Sequence, residues 1–207
     1  MDFQFFDDNQ KIPHGVAVIE NFYTENELKL IWKELDYLTS ENLLLPPERT
    51  GTSLDRETGK PRKENSGLFL DEHYKTRSFS SILTLNRKVF SVLNDEVYSQ
   101  RPIFRYMATV NSDSTLLNYY EDNNYYKPHI DNCVYTVLTY FFKEPKQFSG
   151  GNFRIVDYDL EFEIKNNMVI FMPSCYLHEA LPVKMEQNQK GYGRYCLSQF
   201  MFITNGY

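Results

Sequence analysis

Hydrophobic positions change their spacing about halfway along this chain. Up to about residue 100 they recur at helical intervals, and beyond it they gather in short runs set apart by turn residues. Gly15 to Phe22 reads as a short strand. Thr24 and Glu27 then form a capping box. Leu28, Ile31, Trp32, Leu35 and Leu38 follow at helical spacing, which places the single tryptophan in a helix–sheet core. A second helix is predicted from Ser80 or Ser81, with Ile82, Leu85, Val89, Leu93 and Val97 as its buried stripe. Between the two helices, residues 46–66 are polar, punctuated by Gly and Pro and mixed in charge. They are predicted as a solvated loop, and a loop of this length in a compact domain is a candidate lid. Strands are predicted over 104–110, 114–120, 135–142, 152–156, 160–164, 167–172 and 194–203. Helices first and strands afterwards point to an α+β fold, in which N-terminal helices brace one face of a β-sandwich or jelly roll.

At 207 residues the chain is long enough for one domain with a substantial core. That domain is expected to span 1–207, with helical support and the loop over about 1–103 and a strand-rich core over about 104–207. Sixteen Tyr and sixteen Phe suit strands better than a helical bundle. No apolar run reaches the length of a membrane span, and the start Met1-Asp2-Phe3-Gln4-Phe5-Phe6-Asp7 does not read as a signal peptide. Three cysteines (Cys133, Cys175 and Cys196), odd in number and without CxxC spacing, argue against a disulfide frame. A reducing cytoplasm is the natural setting, whether the producing organism's own or a host cell's. The net charge of −6 offers no basic footprint for nucleic acid.

The candidate chemistry begins at His129 and Asp131. They stand two apart, so on a strand both point to one face and can grip a single metal ion. His178 would close the triangle from a later strand. Two imidazoles and one carboxylate are the protein ligands of a mononuclear non-haem iron(II) site, which keeps coordination positions open. A chain of this composition holds about 0.5 such acid-at-plus-two pairs by chance, so the neighbours of the pair must carry the weight.

Those neighbours form five local patterns. Tyr120, Asp122, Tyr126 and Pro128 lead into His129 and Asp131. Thr136-Val137-Leu138-Thr139-Tyr140 follows the pair, then Gly150-Gly151-Asn152-Phe153-Arg154-Ile155. The segment from Val169 to Val183 surrounds His178, and Gly193-Arg194-Tyr195-Cys196-Leu197-Ser198 closes the set. In this order, over residues 118–202, they resemble the catalytic core of the 2-oxoglutarate- and iron(II)-dependent dioxygenases, in the prolyl 4-hydroxylase-like branch. The resemblance implies a double-stranded β-helix (jelly roll), iron(II) on His129, Asp131 and His178, 2-oxoglutarate and dioxygen as co-substrates, and ascorbate as reductant. It also implies that the reaction hydroxylates a C–H bond, with proline in a peptide or protein as the leading target.

The far carboxylate of 2-oxoglutarate needs a fixed partner. Arg194 offers a planar fork for it. Set among Tyr195, Cys196 and Leu197 it would be buried and in need of an anion. Ser198 shares its strand face. The resemblance adds Tyr120 and Tyr140 as phenolic donors, Thr136 on the Tyr140 face, and Tyr126 as a residue packed beside the metal. Two departures stand out. Sixteen positions separate His178 from Arg194, more than is usual, and the extra residues 186–191 read as an enlarged hairpin loop. Lys184 and Lys190 are the alternative anchors. Asn166-Asn167 also stands where a glycine is common, and asparagine tolerates the positive φ of such a turn. Cys133 and Cys196 read as buried inert thiols, and His14 and His73 as surface residues. Two other readings stay open: oxidative dealkylation of nucleic-acid bases on a related jelly roll, and a non-enzymatic jelly-roll module that retains a metal.

Overall fold

Strands β1 (Phe3–Phe5) and β2 (Ala17–Ile19) pair antiparallel, and helix α1 (Glu25–Ser40) follows them. The computed structural model describes residues 3–5, 14–52 and 54–204. Helix α1 begins where its capping box predicts: Thr24 Oγ1 accepts from the Glu27 amide, and Glu27 Oε2 accepts from the Thr24 amide at 2.7 Å. Two orphan donors of the first turn are thereby met. Ile31, Leu35 and Leu38 are buried, and Trp32 sets its ring edge-on to Phe141 and Tyr195. This is the helix–sheet role predicted for it.

Three predictions need correction. The end of the 46–66 stretch is not loop: β3 (Lys63–Glu64) and β4 (Ser66–Phe69) arise there, with Lys63, Asn65 and Gly67 buried in alternation. The inward face of this run is polar or small, so it lacks the apolar alternation that marks a strand. After α2 (Leu70–His73), the long helix expected from Ser80 divides into α3 (Ser81–Leu85), α4 (Lys88–Ser91) and α5 (Asp95–Gln100). Asparagines make the breaks, because their side chains compete for local polar groups. Asn86 bonds Arg77 and Thr115, and Asn94 caps α5 by accepting from the Val97 amide. The stripe survives the division, since Ile82, Val89, Leu93 and Val97 are all buried. Finally, the strand predicted over 104–110 is helical. A 3-10 turn at Pro102–Phe104 runs into α6 (Arg105–Ala108), started by a proline whose φ already suits it.

The remaining strands are β5 (Ser112–Tyr120), β6 (Tyr125–His129), β7 (Tyr135–Phe141), β8 (Ser149–Gly150), β9 (Phe153–Ile155), β10 (Leu160–Phe162), β11 (Met168–Pro173), β12 (His178–Ala180), β13 (Val183–Lys184) and β14 (Arg194–Phe202). A seven-stranded sheet has the order β1-β2-β11-β7-β14-β5-β4, and a five-stranded sheet the order β10-β9-β12-β6-β3. Strands β13 and β8 form a separate ribbon. The architecture is α+β, and among the described residues the sheets stay open rather than closing into one barrel.

Period-two alternation on the large sheet creates two cores. Val137, Phe141, Val169, Phe171, Tyr195 and Leu197 pack with Ile31 and Leu35 of α1. The intervening residues Leu138, Tyr140, Ile170 and Cys196 face the other way, against Phe153, Ile155 and Phe162 of the small sheet. Strands buried on both faces read as continuous apolar runs. The predicted turn at Asn166-Asn167 forms with φ 60° at Asn167. Its side chain brackets Tyr23, accepting from the amide and donating to the carbonyl, both at 2.8 Å, and so ties the entry of α1 to the sheet. No helix among the described residues is long and apolar enough to cross a membrane.

Candidate metal centre

His129 ends β6, and His178 begins β12, the strand hydrogen-bonded beside it, in direct register. Asp131 lies just past β6, where its amide donates to Ser174 O at 3.1 Å. The ligand atoms of the three residues lie within 4.8 Å of one another. His129 Nε2 is 3.6 Å from Asp131 Oδ1, and His178 Nε2 is 3.5 Å from Asp131 Oδ2. Each imidazole has its Nδ1 on a backbone carbonyl, Lys127 O at 3.0 Å and Tyr176 O at 2.9 Å. A carbonyl only accepts, so Nδ1 is the protonated nitrogen and each Nε2 lone pair turns to the shared centre. Burial, and after it the neighbouring His178, pulls the His129 pKa down to about 3, so this imidazole is neutral at pH 7 and free to ligate. The donor set therefore suits a divalent metal of the iron(II) type.

Thr136 takes a different place from the one the resemblance implied. Its hydroxyl donates to Asp131 Oδ2 at 2.6 Å and meets Ser174 Oγ at 3.1 Å, and it does not line the cavity. Its hydroxyl braces the carboxylate of Asp131. Thr136→Val is expected to leave the fold intact and to weaken iron(II) binding about 10–100-fold, the usual cost of losing such an outer partner. Metal titration checks this, and unchanged affinity would show that Asp131 needs no such support.

The triad opens into a narrow cavity between the two sheets, with about 70 Å³ of free volume. Arg194, Ser198, Tyr120 and Tyr140 line it from the large sheet, and Tyr126 from the small one. The Arg194 side chain is fully buried. Its guanidinium lies 3.9 Å from the Tyr120 ring centre, and Nη1 donates to Gly151 O. Among the described residues Nε and Nη2 have no hydrogen-bond acceptor. A buried cation with two unmet donors is a seat for a carboxylate. Gly150 and Gly151 take positive φ, and a Cβ on Gly151 would meet Val183 at 2.9 Å, so the turn that supplies this carbonyl needs glycine. Burial raises the pKa of the Tyr120 and Tyr140 phenols, which therefore remain donors. Tyr126 stacks on the His129 ring at 3.5 Å, 12° from parallel.

The alternative anchors do not enter the cavity: Lys184 is exposed, and Lys190 bonds Asn42. Residues 186–190 are exposed as a hairpin insertion should be, and β14 keeps its register with Arg194 opposite Tyr120. Cys196 lines the cavity as a thiol pushed up to about 11 by burial, while Cys133 packs on Ser174. His14 and His73 are exposed. Lys63, Gly51 and Asn118 are polar or small cavity residues that escaped the sequence reading. Lys63 and Gly51 lie in the supposed loop, and Asn118 donates to Ser198 Oγ at 3.2 Å. The inward parity of Lys63 and Asn65, read against exposed Glu64, was the one available signal.

Comparison with known proteins agrees with this geometry. Residues 115–202 match the family model of the 2OG-Fe(II) oxygenase superfamily. No curated protein sequence matches. A Pseudomonas putida prolyl-4-hydroxylase has a similar structure at 14% identity and a TM-score of 0.59, covering 93% of this chain and 94% of its own. A Burkholderia pseudomallei oxidoreductase of the 2OG-Fe(II) oxygenase family is similar at 15% identity and a TM-score of 0.55, covering 93% and 87%. A collagen prolyl hydroxylase of Paramecium Bursaria Chlorella virus-1, in its 2OG complex, follows at 14% and 0.52, covering 90% and 96%. At such identities the likeness is one of fold. The matched segment contains the His-His-Asp cluster and the buried arginine, and residues 115–202 fit the 2OG-Fe(II) oxygenase superfamily.

Proposed function

We propose that this protein is an iron(II)- and 2-oxoglutarate-dependent dioxygenase that hydroxylates proline in a peptide or protein. The observation that carries the reading is that one cavity holds both the three-ligand cluster and the unmet guanidinium of Arg194. In this reading His129, Asp131 and His178 hold iron(II). Arg194 takes the far carboxylate of 2-oxoglutarate, with Ser198, Tyr120 and Tyr140 beside it, and Tyr126 steadies His129. When bound, the metal and its co-substrates supply oxidation of a C–H bond to C–OH by dioxygen, with 2-oxoglutarate leaving as succinate and carbon dioxide.

The chain's own part is to position and to exclude water. Leu138, Phe153 and Ala180 make the cavity wall apolar, which keeps the reacting centre dry. The two sheets are read as the halves of a double-stranded β-helix, and residues 1–207 as one domain. Proline is favoured because two proteins of similar fold are named as prolyl hydroxylases. Three unpaired cysteines suit a reducing, cytoplasmic compartment, and ascorbate is the reductant we assign.

Anaerobic addition of iron(II) and 2-oxoglutarate should produce a weak visible charge-transfer band. With air and a proline-peptide library, succinate should form together with a product heavier by one oxygen. Absence of the band removes the metal-site reading; a band with oxygen gained only by non-proline substrates removes the prolyl assignment.

A further inference from the structure

We propose that Lys63 forms a second anion subsite in the metal cavity and selects a substrate that carries a carboxylate close to the carbon being hydroxylated. The inference rests on the oxygenase reading above and narrows its substrate class. Lys63 lies on β3 at the edge of the small sheet, opposite Tyr126, and lines the same cavity as the triad. It is 1% exposed. Among the described residues its one hydrogen bond runs from Nζ to Thr50 O at 3.0 Å, and the Tyr126 ring centre lies 5.5 Å away. No carboxylate pairs with it among those residues, since Asp131 is turned to the two imidazoles. Burial pulls its pKa down to about 8, and the charge of nearby Asp131 offsets that only in part.

Charge accounting then points to the ligand. Iron(II) and Arg194 are balanced by Asp131 and the 2-oxoglutarate dianion. Glu179, the other carboxylate on the cavity wall, faces Arg154 at 3.3 Å, a cation it shares with Asp159. Among the described residues that line the cavity, Lys63 has no ion-pair partner of its own, and a buried unpaired charge is costly. A single negative charge on the substrate balances it. An ammonium acts as a point charge, without the fork geometry of arginine, so one carboxylate oxygen is enough. That carboxylate can belong to a free amino acid, to the C-terminus of a peptide, or to an acidic side chain beside the target.

The test is calorimetry on anaerobic protein loaded with iron(II) and saturating 2-oxoglutarate. It is titrated with the standard L-amino acids and their amides, and with a short proline peptide ending in a free or an amidated C-terminus. The same peptide with an internal Asp or Asn completes the set, so that the three sources of carboxylate are separated. In at least one matched pair the acid should bind about tenfold or more tighter than its neutral partner, the scale of a hydrogen bond to a charged group. Lys63→Met should level that pair, Lys63→Arg should restore it, and the affinity for 2-oxoglutarate should stay within about twofold. The Met side chain replaces a buried charge by apolar volume, so its melting temperature should not fall. If it fails to fold, the Arg variant must keep the acid preference.

No preference for any acid in the wild type overturns the proposal, as does a preference that survives Lys63→Met. Loss of 2-oxoglutarate binding in that variant also overturns it, because Lys63 would then serve the co-substrate. If the wild type binds neither iron(II) nor 2-oxoglutarate, the oxygenase reading itself falls and takes this proposal with it. Separate titrations read that outcome.

Discussion

His178→Ala should abolish iron(II) binding at metal concentrations that saturate the wild type, and succinate formation should drop to background. His178 Nε2 and His129 Nε2 sit on either side of the Asp131 carboxylate, 3.5 and 3.6 Å away. Removing one leaves a two-ligand site in which the ion must find its remaining partners from water. Loss of an outer partner costs about 10–100-fold in affinity, so loss of a direct ligand should exceed ~100-fold. The substitution also removes a buried ring that touches Phe153 and His129, so some loss of stability is expected with it. Anaerobic titration with iron(II), beside a melting curve, separates the two effects. A folded variant with wild-type metal affinity would end the assignment of His178.

Arg194→Met should move two measurements in opposite directions. Without co-substrate, the protein holds a fully buried guanidinium that is bonded to Gly151 O and set against the Tyr120 ring. Nε and Nη2 find no acceptor among the described residues. Exchanging that charge for an apolar side chain removes a desolvation cost, so the melting temperature should hold or rise. With co-substrate, the same exchange deletes two charge-assisted hydrogen bonds. The dissociation constant of 2-oxoglutarate should rise about 100-fold, roughly 3 kcal/mol in all. Arg194→Lys should fall between, because an ammonium cannot make two parallel bonds. Iron(II) affinity measured without co-substrate should not change. Unaltered 2-oxoglutarate binding in Arg194→Met would mean that another group takes the far carboxylate.

The same two residues show how much could be read before any fold was known. His129 and Asp131 are two apart, and their shared strand face follows from the pleat. His178 and Arg194 could be placed only as members of an ordered set of patterns, because their partners are distant in the chain. The capping box of Thr24 and Glu27, the stripe Ile31–Leu35–Leu38 and the glycine pair at 150–151 are local features, and each appears where the sequence puts it. Misreadings arose where a local pattern competes with a tertiary contact. The stripe Ile82–Val97 is real, yet Asn86 and Asn94 break the helix beneath it. Thr136 shares parity with Tyr140, but a hydrogen bond to Asp131 decides what its hydroxyl does.

What the amino-acid order determined by itself was the alternation of apolar and polar positions, the caps and turns, and the donor chemistry of the metal cluster. Each of these depends on neighbours within a few residues. The tertiary structure alone decided that Lys63 enters the cavity, that Ser174 and Thr136 brace Asp131, and that two donors of Arg194 stay unmet. Those outcomes depend on which strands become adjacent and on how completely water is excluded, and burial is a property of the folded assembly that no single segment carries.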